Sequence, residues 1–152
     1  MKRLGAILML FAVLQAGVAL AQFQPGMTQA QLQQAVKTQV AAGKTPAQIA
    51  KAMLDAKVPA GAVTTAMILA GIDPTDVIKA VIAGGGAAVP VINAALAAGV
   101  ASSVVSSAAI GAGVDQTLVS NTIAAFTASL RGGSGTPGGG NSGGGGGKPS
   151  KS

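Results

Sequence analysis

The stretch Gly71-Ile72-Asp73-Pro74-Thr75-Asp76-Val77-Ile78-Lys79-Ala80-Val81-Ile82-Ala83-Gly84-Gly85 holds one full cycle of the pattern that decides the fold. Asp73 stands before Pro74, and its short carboxylate side chain can accept from the free amides of a helix start. Pro74 suits the first helical position, where no N–H is needed. Asp76 adds a second carboxylate in the first turn, where the helix dipole favours negative charge. Val77, Ile78, Ala80, Val81 and Ile82 then recur at helical spacing, and glycine closes the cycle with the residue best suited to a left-handed C-terminal cap.

Outward from this stretch the same cycle repeats without gaps. Starting at Ala30, seven blocks of fourteen residues run to Thr127. Their sixth positions are Ala35, Ile49, Val63, Val77, Val91, Val105 and Val119, and their eleventh are Val40, Leu54, Ile68, Ile82, Leu96, Ile110 and Ala124. Position 8 is polar in every block: Lys37, Lys51, Thr65, Lys79, Asn93, Ser107 and Asn121. Position 14 is glycine in five of the first six blocks, with Lys57 as the exception, and Pro59 follows that lysine to stop the helix. An always-polar position beside always-apolar ones does not arise from an Ala/Gly-rich composition alone.

Each block predicts a helix of about ten residues and a tight turn. Thr45 with Gln48 reads as a capping box, Thr28 with Gln31 as another, and Asp73 and Asp115 as N-caps. At about 100° per residue, positions 6, 9, 10 and 13 share an apolar face that positions 7 and 11 extend. The expected repeat core is therefore Ile49, Val63, Val77, Val91, Val105 and Val119 with Leu54, Ile68, Ile82, Leu96 and Ile110. Positions 4, 5, 8 and 12 are left for solvent. Helices this short are marginal alone, so they must stack. The expectation is an all-α chain, an array of about seven short helices forming an α-solenoid or a small bundle. Thr38 and Thr122, where inner blocks have alanine, and the polar Gln31, Gln33 and Gln34 suggest capped ends. Gly84-Gly85-Gly86 is expected to widen one turn, and Pro90 to kink the fifth helix or delay its start to near Val89.

The flanks differ in kind. Residues 1–21 read as a secretory signal peptide: Lys2 and Arg3, an apolar stretch from Leu4 to Val18, then Ala19-Leu20-Ala21 as a cleavage site. Residues 22–29 form a lead-in, 30–130 the repeat domain, and 131–152 a tail with eleven glycines in twenty-two residues. Such a tail cannot bury enough apolar surface to offset its chain entropy and is expected to be disordered.

Composition excludes much chemistry. The chain has no His, Cys, Trp or Tyr and only four carboxylates, Asp55, Asp73, Asp76 and Asp115. Histidine triads, thiolate nucleophiles and His/Cys metal sites are absent, so no catalytic residue, metal or cofactor is expected. Without the signal, eight Lys/Arg face four Asp, a net +4, too mild for a specific nucleic-acid footprint. Lys37, Lys51 and Lys79, with Arg131, Lys148 and Lys151, could at most form a weak basic stripe toward an anionic surface polymer. Met27, Met53 and Met67 read as core filler.

The Ala70-Gly71-Ile72-Asp73-Pro74-Thr75-Asp76-Val77 element resembles small exported bacterial proteins of unknown function, in which A-G-x-D-P-x-x-V units precede a glycine-rich C-terminus. The resemblance spans Ala30 to the end, although the fifth block has Ala87-Ala88 in place of Asp-Pro. It implies no activity or site. The leading functional expectation is a secreted structural or interaction protein of the cell surface or extracellular matrix, self-assembling by head-to-tail stacking of its repeats. The alternatives are a monomeric periplasmic binding scaffold and a small membrane-active protein, the latter because Ala80 to Val114 carries no charge.

Overall fold

The computed structural model describes residues 23–132. They form seven α-helices and, among the described residues, no strand: α1 (Gln29–Ala41), α2 (Pro46–Asp55), α3 (Ala60–Leu69), α4 (Pro74–Ala83), α5 (Ala88–Ala97), α6 (Ser102–Gly111) and α7 (Gln116–Gly132). The chain is thus all-α, and α2 to α6 are each ten residues long. The signal peptide and the tail from 133 onward lie outside the described residues.

Every connection has the same construction. Position 14 takes a left-handed conformation in all six turns, at Gly43, Lys57, Gly71, Gly85, Gly99 and Gly113. In the α4–α5 turn, Gly85 N–H donates to Ile82 O (3.0 Å) and Gly86 N–H to Val81 O (2.8 Å). These are the two reversed bonds of a Schellman cap, and the other five turns repeat them. The glycine triplet therefore does not widen its turn. Position 2 supplies the N-cap: Thr45 Oγ1 accepts from Gln48 N–H (3.3 Å) while Thr45 N–H donates to Gln48 Oε1 (3.0 Å). Asp73 Oδ1 accepts from Thr75 N–H (2.8 Å), and Asp115 Oδ1 from Thr117 and Leu118 N–H (2.8 and 3.1 Å). Thr28 and Gln31 make the expected reciprocal box, which starts α1 early and gives it thirteen residues. Pro90 neither delays nor relocates α5, whose N-cap is Ala87, in register with the other blocks. It occupies the third helical position, where no intrahelical N–H is required. Its trace is a first bond, Val91 N–H to Ala87 O, of 3.4 Å instead of about 3.0 Å elsewhere.

Each helix packs most extensively on the helix two places along, and contacts reach no farther than that among the described helices. The odd helices α1, α3, α5 and α7 therefore make one row and the even helices α2, α4 and α6 a second. The array stays open, because α1 and α7 do not meet. It is a two-row solenoid, not a closed bundle. Within a row, neighbours run in the same direction. The start of α3 at Gly61 lies beside Pro90, in the first turn of α5, and Ala94, and Leu54 near the end of α2 lies against Gly84 at the end of α4.

This packing redraws the core. Position 6 is buried in all seven helices, as expected. The other buried positions are 7 (Val36, Ala50, Thr64, Ile78 and Ile92), 9 (Ala66, Ala80, Ala108 and Thr122) and 10 (Gln39, Met53, Met67, Val81, Ala95 and Ala109). Position 11 is the flank. Leu54, Ile68, Ile82 and Leu96 are only half-buried against the core, and Ile110 is 40% exposed. Met53 and Met67 fill the core and Met27 packs against it. Phe23 is also buried in this core, so the lead-in is part of the fold. At the other end, α7 runs past Thr127 and takes in Arg131 and Gly132, which were expected to begin the tail. Buried hydroxyls are satisfied inside their own helices: Thr64 donates to Ala60 O (2.8 Å) and Thr122 to Leu118 O (2.7 Å).

Candidate functional site

A solenoid offers four surfaces: two ends and the outward face of each row. The ends follow from which side of each helix meets its neighbours. Gly61 (position 4), Leu54 (position 11) and Lys79 (position 8) each touch the next helix of their row, at Ala94, Gly84 and Gly111. Positions 4, 7 and 11 therefore form the forward side, the long side chain at position 8 reaching over it from the outward face, and position 9 looks back. On α6 the forward side is Ser103, Ser106 and Ile110; on α7 it is Thr117, Ser120 and Ala124. Serine stands at position 7 in both, where the inner helices α4 and α5 bury isoleucine. The C-terminal end is thus sealed by hydroxyls. Thr122 does not seal it, because it looks back toward α5 and is buried. At the N-terminal end Thr38 and Gln34 are exposed as expected. Gln33 instead points forward, and its Nε2 donates to Leu69 O at the end of α3 (2.6 Å).

The two outward faces are chemically unlike. Position 8 lies about 200° from position 6 and so faces away from the core, flanked by positions 5 and 12. In the even row these are Gln48, Lys51 and Asp55 on α2, Asp76, Lys79 and Ala83 on α4, and Val104, Ser107 and Gly111 on α6, which carries no charge. Lys51 Nζ pairs with Asp55 Oδ2 at 3.1 Å, with both side chains well exposed, so the pair adds little stability. In the odd row, α3 presents Ala62, Thr65 and Leu69; α5 presents Pro90, Asn93 and Ala97; and α7 presents Leu118, Asn121 and Ala125. Neither α3 nor α5 contains a charged residue. On the odd helices the charges are Lys37 on α1 and Arg131 in the last turn of α7. Leu69, Leu118 and Val89, 48%, 42% and 40% exposed, lie on this row.

Lys37, Lys51 and Lys79 therefore do not form one stripe. Lys51 and Lys79 sit on adjacent even helices, whereas Lys37 is on the opposite face of the slab. Arg131 is exposed at the end of α7, and Lys148 and Lys151 lie outside the described residues. A reading at twenty-eight residues, two blocks at a time, would have separated the lysines. It would also have shown the uncharged run through Thr65, Asn93 and Asn121.

The odd face carries a shallow groove of about 400 Å³ between α5 and α7, lined by Val89, Asn93, Asn121, Ala125, Phe126 and Ser129. Two amides and a half-buried ring converge there. The even face has a groove of similar size between α2 and α4, bordered by Thr45, Asp76 and Lys79. Among the described residues no cluster of His, Cys, Asp or Glu could hold a metal ion, and no helix is long and apolar enough to cross a membrane. A ten-residue helix is about 15 Å long, half the hydrocarbon thickness of a bilayer.

Fold and faces together define a short two-row α-solenoid with polar ends, one face charged on α2 and α4 and an opposite face uncharged on α3 and α5. The chain matches no protein-family model, no curated protein and no solved structure.

Proposed function

We propose that the protein is an exported, non-enzymatic interaction scaffold whose working surface is the outward face of α3, α5 and α7. The observation that supports it is the sorting of side chains between rows: the outward positions of α3, α5 and α7 are uncharged, with exposed Leu69, Val89 and Leu118 and amides at Asn93 and Asn121, whereas α2 and α4 on the opposite face present Lys and Asp. Apolar groups with a few directed polar ones are what a recognition surface requires. Export rests on the signal peptide read at residues 1–21, and the lack of an enzymatic role on the missing nucleophile, histidine and thiol chemistry. Head-to-tail filaments are the weaker structural reading, because Ser106 and Ser120 stand at the terminal packing positions.

The test uses the absence of cysteine from the whole chain. Single cysteines replace Ala97 on the odd face and Ala83 on the even face, both exposed at position 12, and intact producing cells are treated with an impermeant thiol reagent, alongside recovered culture medium. Protection of Ala97→Cys with labelling of Ala83→Cys is expected outside the cytoplasm. Equal labelling of both would defeat the assignment of the face, and retention of the protein in the cytoplasm would defeat export.

A further inference from the structure

We propose that the partner of the odd-row face is a second copy of this chain, stacked face to face about a two-fold axis parallel to the helices. The inference rests on the odd face being the binding surface and names what it binds.

Charge selects the face and then the axis. Stacking two even faces would bury Lys51, Asp55, Asp76 and Lys79 of both copies, with one ion pair in each to offset their desolvation. Stacking two odd faces brings no charge from α3 or α5 into the contact. A two-fold axis in the interface can run along the row or along the helices. Along the row, each helix meets its own copy, and Lys37 faces the partner's Lys37. Along the helices, the row order reverses while helix direction is kept, so α1 lies over the partner's α7 and α3 over the partner's α5. Position 8 then meets position 8. Lys37 faces the partner's Asn121, whose amide oxygen can accept from the ammonium, and Thr65 faces the partner's Asn93. An amide both donates and accepts, so each polar side chain at position 8 of the odd row meets a compatible group. Leu69 and Leu118, the apolar projections beside this ladder, are covered by the same arrangement.

The area is sufficient for such a dimer. Four helices at 8–10 Å spacing, each about 15 Å long, give a face of about 600 Å² per copy. The total of about 1,200 Å² is at the lower edge of specific, stable interfaces, which suits a micromolar self-association.

Analytical ultracentrifugation of the exported chain across a micromolar dilution series tests this, with three variants at exposed positions whose folding is checked by their thermal melts. The parent is expected to pass from monomer to dimer. Asn121→Lys sets a second ammonium opposite Lys37 twice per dimer and should weaken association at least about tenfold. Asn121→Asp supplies the complementary charge and should tighten it roughly threefold to tenfold. Ala83→Lys, on the even face, should leave it unchanged. A parent that stays monomeric throughout overturns the proposal, as does a dimer that responds to Ala83→Lys or shifts the same way with both substitutions at Asn121. Protection of Ala97→Cys on cells, combined with a monomeric purified parent, would overturn self-recognition while leaving the scaffold reading intact.

Discussion

Replacing Lys57 with glycine isolates the backbone cost of the one irregular turn. Lys57 has φ +62°, and the glycines of the other five turns have φ between +75° and +94°. The turn is otherwise ordinary: Lys57 N–H donates to Leu54 O at 2.9 Å and Val58 N–H to Met53 O at 3.0 Å. A left-handed conformation costs an L-residue about 1–2 kcal/mol, which glycine would relieve. Against this, glycine loses about 0.4–1 kcal/mol more chain entropy on folding, and the favourable placement of a cation at a helix C-terminus, about 0.3 kcal/mol when exposed, disappears. The net is a stabilisation of about 0.5 kcal/mol, or a rise of about 2–4 °C in Tm for a domain of this size. Gly71→Ala is the mirror experiment. Its Cβ would meet nothing within 4 Å, so only the backbone is taxed, and a loss of about 0.8 kcal/mol is expected from the same two terms. Circular dichroism melts of the two variants should move in opposite directions. A Lys57→Gly protein that melts at or below the parent, together with a Gly71→Ala protein that melts like it, would refute the claim that these turns are governed by left-handed caps.

Ile78→Ala should cost about 2–5 kcal/mol, because Ile78 is fully buried, whereas Ile110→Ala, at 40% exposure, should cost well under 1 kcal/mol; urea melts of both compare them. Gly86→Ala would place a Cβ 2.8 Å from Val81 O and 3.2 Å from Ala60 Cβ and should destabilise by about 1–3 kcal/mol, read as a lower Tm. Converting Ser106 and Ser120 together to leucine replaces the hydroxyl seal with apolar knobs, and light scattering should then show concentration-dependent elongation that the parent lacks.

Repeat length, helix starts and turn chemistry were legible in the sequence because each depends on residues within one turn of one another. Thr45, Asp73 and Asp115 cap as their spacing predicts, and glycine recurs wherever φ must be positive. Pro90 and the glycine triplet misled because each is tolerated at the place it occupies: a proline in the first turn needs no N–H, and the triplet keeps every bond of the Schellman cap. Ile110 was misplaced because apolar character at position 11 marks the flank of a helix and not its core: Val40 is 44% exposed there although α3 follows α1, and Ile110 on α6 is 40% exposed.

The amino-acid sequence by itself determined seven short helices joined by identical turns, since capping and left-handed conformations are settled within a few residues. Only the tertiary structure decided which helix lies on which. Neighbours in space are two blocks apart in the chain, so residues that share a position in consecutive blocks fall on opposite faces. That alternation puts Lys37 away from Lys51 and Lys79, turns Thr122 inward, leaves Ser106 and Ser120 at the open end and gathers Thr65, Asn93 and Asn121 on the outward side of one row. Burial is a property of the packed pair of rows, and no single block contains it.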